Sequence, residues 1–122
     1  MKKLVLMIAA VSALTLSGCS QRIADMTVAS SKNVNMNSTG FVEGERVEGS
    51  DATPIILFPI GIPNVKEAMD KAIEQNPCAV ALNDVVIESG AAAFLIGQAW
   101  YDVEGTLVLD TNKEGCEQYS SL

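Results

Sequence analysis

Asn64-Val65-Lys66-Glu67-Ala68-Met69-Asp70-Lys71-Ala72-Ile73-Glu74-Gln75 decides the fold class of this chain. Val65, Ala68, Met69, Ala72 and Ile73 recur at helical spacing and form one apolar face. Asn64 stands where a side-chain oxygen accepts from the amides of the first turn. Glu67, three residues on, holds the position of the reciprocal partner in a capping box. Lys66, Glu67, Asp70, Lys71 and Glu74 fall mostly off the apolar face, and Glu67 and Lys71 have the favourable order for an i,i+4 pair. Pro77 disfavours a helical Asn76, which stops the helix near Gln75. A helix of about 11 residues does not hold itself together in water. Its apolar face therefore needs a sheet to pack on.

The sheet is clearest after the helix. Tyr101, Val103, Leu107 and Leu109 alternate with Asp102, Glu104 and Thr106, the pattern of a strand with one wet side. Gly105 falls on the apolar side and marks a bulge or the close passage of another element. Residues 85–88 read as a strand, entered by a short connection at 81–84 and left by a turn or bulge at Ser89-Gly90. The chain returns as a strand from Phe94, bent at Gly97. Before the helix, residues 26–31 give a weak strand, ended by Asn33, Asn35, Asn37, Ser38 and Gly40. Residues 41–48 read as an exposed strand whose charges protect an edge. Residues 53–60, Thr-Pro-Ile-Ile-Leu-Phe-Pro-Ile, are apolar on both faces and read as a buried internal strand with a proline near each end. Gly61-Ile62-Pro63 then turns the chain into the helix. The order β, β, β, α, β, β predicts an α+β fold, a small antiparallel sheet of about five strands with one helix packed on one face. Residues 26–110 make the single domain, and 111–122 read as a polar C-terminal tail.

The N-terminus carries the cellular information. Lys2 and Lys3 precede an apolar run from Leu4 to Leu16 broken only by Ser12 and Thr15. The run is shorter than the roughly 20 residues a membrane-spanning helix needs, so it reads as an export signal. Leu16-Ser17-Gly18-Cys19 resembles the lipobox of bacterial lipoproteins. The resemblance implies a signal peptide at 1–18, cleavage before Cys19, a lipid on its sulfur and an acylated tether at 19–25. Several acyl chains make a durable anchor where one alone is reversible. Ser20 stands where aspartate would mark inner-membrane retention, so the resemblance implies an outer-membrane location, on either its periplasmic or its surface face.

The full chain has 15 acids and 8 bases. Lys2 and Lys3 leave with the signal, so 15 acids face 6 bases in the mature part, net −9. Such a surface repels phosphates, and without a basic cluster nucleic acid is not an expected partner. The sequence contains no histidine, which removes the commonest acid–base group and the usual zinc and serine-triad arrangements. No phosphate-binding loop, dinucleotide fingerprint or calcium loop is present, and neither a cofactor nor a metal is expected. Asp102 and Glu104 stand about 7 Å apart along one side of a strand, a spacing shared by glycoside-cleaving pairs and by any solvated strand face. The solvated face is the reading adopted, and no enzymatic activity is expected.

Cys78 and Cys116 remain besides Cys19. An oxidising compartment favours pairing them, while the alternative is a buried Cys78 beside Ala79 and Val80 with Cys116 free. Trp100 shares a side with Asp102 and Glu104 by two-residue periodicity. It either anchors a protein interface or lies under the tail or the N-terminal ribbon.

The mature part also resembles the small lipoproteins called TRL-like, over roughly residues 26–110. The matching parts are Gly61-Ile62-Pro63 entering a helix with Glu67-Ala68, the segment Asn83-Asp84-Val85-Val86-Ile87, and the closing strand from Tyr101 to Leu109. That resemblance implies a helix against an antiparallel sheet and carries no catalytic residues. The expected function is a lipid-anchored envelope protein that binds another envelope protein or supports an assembly. The alternative is a periplasmic domain that binds a small ligand or senses stress.

Overall fold

A computed structural model describes residues 1–15, 18–93 and 95–121. Leu16 and Ser17 of the lipobox, Phe94 and Leu122 lie outside the described residues. The order is α1 (Lys2–Thr15), β1 (Cys19–Ala29), β2 (Phe41–Ile56), β3 (Phe58–Pro59), α2 (Val65–Ile73), β4 (Ala79–Ala93), β5 (Ile96–Asp110) and a short 3-10 turn (Glu117–Ser121). Four long strands and the two-residue β3 form one antiparallel sheet in the order β1-β4-β5-β2-β3. The molecule is a small α+β domain with helix α2 on one face of that sheet. Among the described residues no helix is long and apolar enough to cross a membrane.

The helix forms as its periodicity predicts. Ala68, Met69, Ala72 and Ile73 are buried, and Val65 packs at the edge of the same core. They meet Val47, Leu82, Val85, Ile87, Val103, Leu107 and Leu109 from the strands. Asn64 caps the helix, its side chain accepting from the Lys66 amide at 2.8 Å. The second half of the cap differs from the expectation. The Asn64 amide donates to Asp51 at 2.9 Å, so a carboxylate on β2 takes the place assigned to Glu67. Lys71 likewise turns to Asp51 at 3.0 Å and to the Ser50 carbonyl at 2.9 Å. The i,i+4 pair on the helix is Lys66–Asp70, at 2.6 Å. A partner on the sheet competes with a helix neighbour here, and local spacing does not register it.

Asp70 sits in a tight set of donors. Lys66, Ser31 and Lys32 all bond its carboxylate, which ties the segment after β1 to the helix. The Lys66 and Ser31 hydrogen bonds, with help from Lys32, hold the carboxyl well below the usual carboxylate range. In the window between that depressed value and an unfolded value of about 4, the unfolded chain binds a proton that the folded chain does not. Stability therefore falls as pH drops through the window. Urea melts from pH 6 down to 2 should show this slope, and Asp70→Asn should flatten it. An unchanged slope in the variant would place the acid sensitivity elsewhere.

Several expectations change. Residues 19–25, read as a tether, belong to β1 and pair with β4, Cys19 opposite Ala91 and Arg22 opposite Glu88. Residues 41–48 and 53–56, read as parts of two strands, are one strand, which is an edge strand except where β3 joins its end. Residues 81–84, read as a connection, lie inside β4, and Leu82 is fully buried. Ser89 and Gly90 also continue β4 rather than turning. The polar tail is folded down: Thr111 and Cys116 are buried, and Tyr119 packs on the core. Its hydroxyl accepts from Asn76 at 3.3 Å. The tail is held by a disulfide between Cys78 and Cys116, with Cα atoms 5.7 Å apart.

The apolar run at 53–60 is the largest departure. Ile56, Leu57, Phe58 and Ile60 are all exposed. The run overhangs the end of the sheet, past the reach of α2, and β3 only folds its tip back onto β2. Continuous apolar character states what surroundings a segment favours, and burial within its own chain is one way to meet it.

Candidate interaction face

Two-residue alternation along β5 turns Trp100, Asp102, Glu104, Thr106 and Val108 away from α2. The three residues singled out from sequence, Trp100, Asp102 and Glu104, do share this face. What they meet is set by register. Asp102 lies between Glu88 on β4 and Ser50 on β2. Glu104 lies between Val86 on β4 and Glu48 on β2. Four carboxylates, Glu48, Glu88, Asp102 and Glu104, thus form a band across three strands. Like charges directly opposite each other across a pair of strands destabilise it.

Arg46 answers part of that repulsion. Its Nε donates to Glu104 at 2.5 Å and its Nη1 reaches Asp84 Oδ2 at 3.1 Å. Asp84 is in position because β4 bulges there: the register shifts between Asn83 and Val86, and Asp84 has φ +51°. Gly105 stands opposite the bulge. A Cβ there would lie 3.1 Å from Leu82 Cβ and 3.2 Å from the Asn83 carbonyl oxygen, so the glycine marks close passage of its neighbour strand. Sequence reasoning missed Arg46 and Asp84. The available signal was Arg46 as the lone base within 41–48. Glu88 accepts a longer bond from Ser20 at 3.4 Å, and Arg22, beyond it on β1, pairs with Asp25.

Trp100 is half-buried, and the N-terminal segment lies beside it: a Cβ on Gly18 would stand 3.5 Å from the indole, and Cys19, Gln21 and Ile23 of β1 line a groove with it. The ring lies against Gly90, where a Cβ would come within 2.3 Å of it. Glycine at this strand position makes room for the indole. The other end of the face is apolar. Val28, Val34, Met36, Phe41 and Val108 line an open cleft of about 330 Å³, rimmed by the loop that Ser38 ties to Asp110 at 2.7 Å.

Cys19 is exposed and outside the disulfide. It begins β1 and lines a shallow groove on the α2 side with Ile23, Pro63, Ala99 and Tyr101. Among the described residues there is no group of three or more His, Cys, Asp or Glu side chains arranged to hold a metal ion. No protein-family model, no curated protein and no solved structure matches this chain significantly.

Proposed function

We propose that the chain is a lipid-anchored cell-envelope protein, held at the outer membrane through acylated Cys19, that binds another envelope protein without catalysis. The binding surface is the sheet face opposite α2. The observation that carries this reading is the band of Glu48, Glu88, Asp102 and Glu104 beside the half-buried ring of Trp100. With Arg46 as the cation bonded within the band, a basic partner relieves repulsion that the fold tolerates. The ring supplies area for burial at the edge of the charge. Charge of this kind sets approach rate and partner choice more than raw affinity. The ordered export signal supports the compartment, and a Cys78–Cys116 disulfide is of the kind that oxidising compartments maintain.

The test is site-specific photocrosslinking in intact cells. A photoreactive residue at Asp102 should give one discrete crosslinked protein, and Trp100→Ala should remove it. The same probe at Glu67, on the exposed side of α2, should not give that product. An identical pattern from both positions, or none from Asp102, would sink the reading.

The apolar cleft favours a second reading, a small-ligand site. Its volume of about 330 Å³ lies at the lower end for small-molecule pockets. A reproducible thermal shift with a medium-chain fatty acid, lost in Val108→Trp, would support it.

A further inference from the structure

We propose that the end of the sheet carrying the β2–β3 and β4–β5 hairpins is a membrane-contacting tip that seats in the acyl boundary of a phospholipid bilayer. This rests on the reading of Cys19 as the anchor. Leu57, Phe58, Ile60, Ile62, Leu95 and Ile96 are between 57% and 88% exposed. Contiguous apolar surface of this kind on a small domain marks an interaction site. The two hairpins are fastened together, with the Leu57 amide donating to the Leu95 carbonyl at 2.9 Å and Ile56 opposite Ile96. They form one surface rather than two loose loops.

Two observations point to lipid as the occupant. First, neither contributing stretch, 52–65 or 89–101, contains an Asp, Glu, Lys or Arg. The rest of the mature chain carries its whole net charge of −9 and is repelled by anionic headgroups. The tip is the part able to approach. Second, Cys19 is at the same end. It pairs with Ala91, two residues before the Ala93–Gly97 pair that precedes the β4–β5 turn, which is about 7 Å along the strand. Because β1 starts at Cys19 itself, no spacer separates the anchor from the sheet. A lipid on that sulfur brings this end to the bilayer. It stands the apolar cleft at the far end, since the cleft residue Phe41 pairs with Asp110 at the opposite end of β5. It leaves the acidic band mid-sheet, Asp102 lying three residues, about 10 Å, from Ala99 at the level of Cys19.

The test reads anchor and tip separately. The chain as the cell processes it is purified and reconstituted in phosphatidylcholine vesicles brominated high on the acyl chain. The mass of the Cys19 peptide reports acylation. Phe58→Trp in a Trp100→Phe background reports the tip. The expected result is an acylated Cys19 and an indole with blue-shifted emission, quenched by the bromine and shielded from iodide. If Trp100→Phe does not fold, Phe58→Trp alone is read as its difference from wild type. An acylated chain whose indole is quenched by iodide and untouched by bromine overturns the tip and leaves the anchor. An unmodified Cys19 with a bromine-quenched indole overturns the anchor and supports the tip. An indole shielded from both, with a crosslinked mass of two chains, overturns the tip in favour of contact between copies.

Discussion

Gly49→Ala should be among the most damaging single changes this domain can take, at about 3 kcal/mol. A Cβ at Gly49 would lie 2.1 Å from the Ala68 carbonyl oxygen and 2.5 Å from the Ala72 amide nitrogen. Both are backbone atoms of α2, so no side-chain rotation relieves the clash. The helix has to lift from the sheet, and Met69 and Ile73 lift with it from Leu82, Val103 and Leu107. Overpacking costs typically 1–3 kcal/mol, and an obstruction made of helix backbone belongs at the top of that range. In a domain of this size that is a fall of roughly 12 °C or more in melting temperature. Gly115→Ala is the control. Its φ is +81°, and apart from its chain neighbours no atom lies within 4 Å of the added carbon, so it carries backbone strain alone, about 1–2 kcal/mol. Urea and thermal melts of Cys19→Ser chains rank the two. Equal losses would mean that α2 does not rest on Gly49.

How far the fold is legible in the sequence depends on whether the deciding partner is local. The α2 face repeats every three to four residues, and the β5 stripe from Tyr101 to Leu109 every two. In both, the spacing alone states which side is buried. The cap shows the limit. Asn64 is visible as a cap because its first contact is two residues away, whereas Asp51 is thirteen residues back on another strand. The tail fails for the same reason. Residues 111–121 look solvated until Cys116 meets Cys78, 38 positions away. The exposed run at 53–60 differs in kind. Its composition is that of a buried strand, and only the position of α2 shows that the sheet extends beyond its cover. For the candidate face, parity places Trp100, Asp102 and Glu104 together. The opposition of Glu48 to Glu104 and of Glu88 to Asp102 needs the register. That register depends on irregularities between Glu43 and Arg46 on β2 and between Asn83 and Val86 on β4, neither with a strong local signal.

Removing the disulfide, by reduction or as Cys78→Ala with Cys116→Ala, should lower stability by about 4 kcal/mol. In the chain-entropy account, the gain from a crosslink grows with the loop it closes. A loop spanning 38 positions corresponds to about 4 kcal/mol, a large fraction of the 5–15 kcal/mol typical of a domain. The native state loses contacts as well. Cys78 and Cys116 are 2% and 3% exposed and belong to the core. The bridge fixes the turn after Asp110, so that Tyr119 reaches Asn76 and Lys113 reaches the Pro77 carbonyl at 2.6 Å. Thr111 and Asn112 stay bonded to Gly40 and Ser38. Beyond them these two hydrogen bonds, each worth about 1 kcal/mol, and the packing of Tyr119 do not hold residues 113–121 against a backbone entropy of about 1–2 kcal/mol per residue. The change should therefore be local before it is global. Limited proteolysis of the reduced chain should cut first beyond Asp110, at Lys113 by trypsin or Tyr119 by chymotrypsin, while α2 and β4 stay protected. The urea midpoint should fall in the same sample. A midpoint indifferent to reductant would show that the tail docks by its own contacts. A midpoint that falls without early cleavage beyond Asp110 would show that the bridge acts only through the unfolded chain. The expected pairing of both changes requires that Cys116 hold the tail in place and shorten the unfolded loop at once.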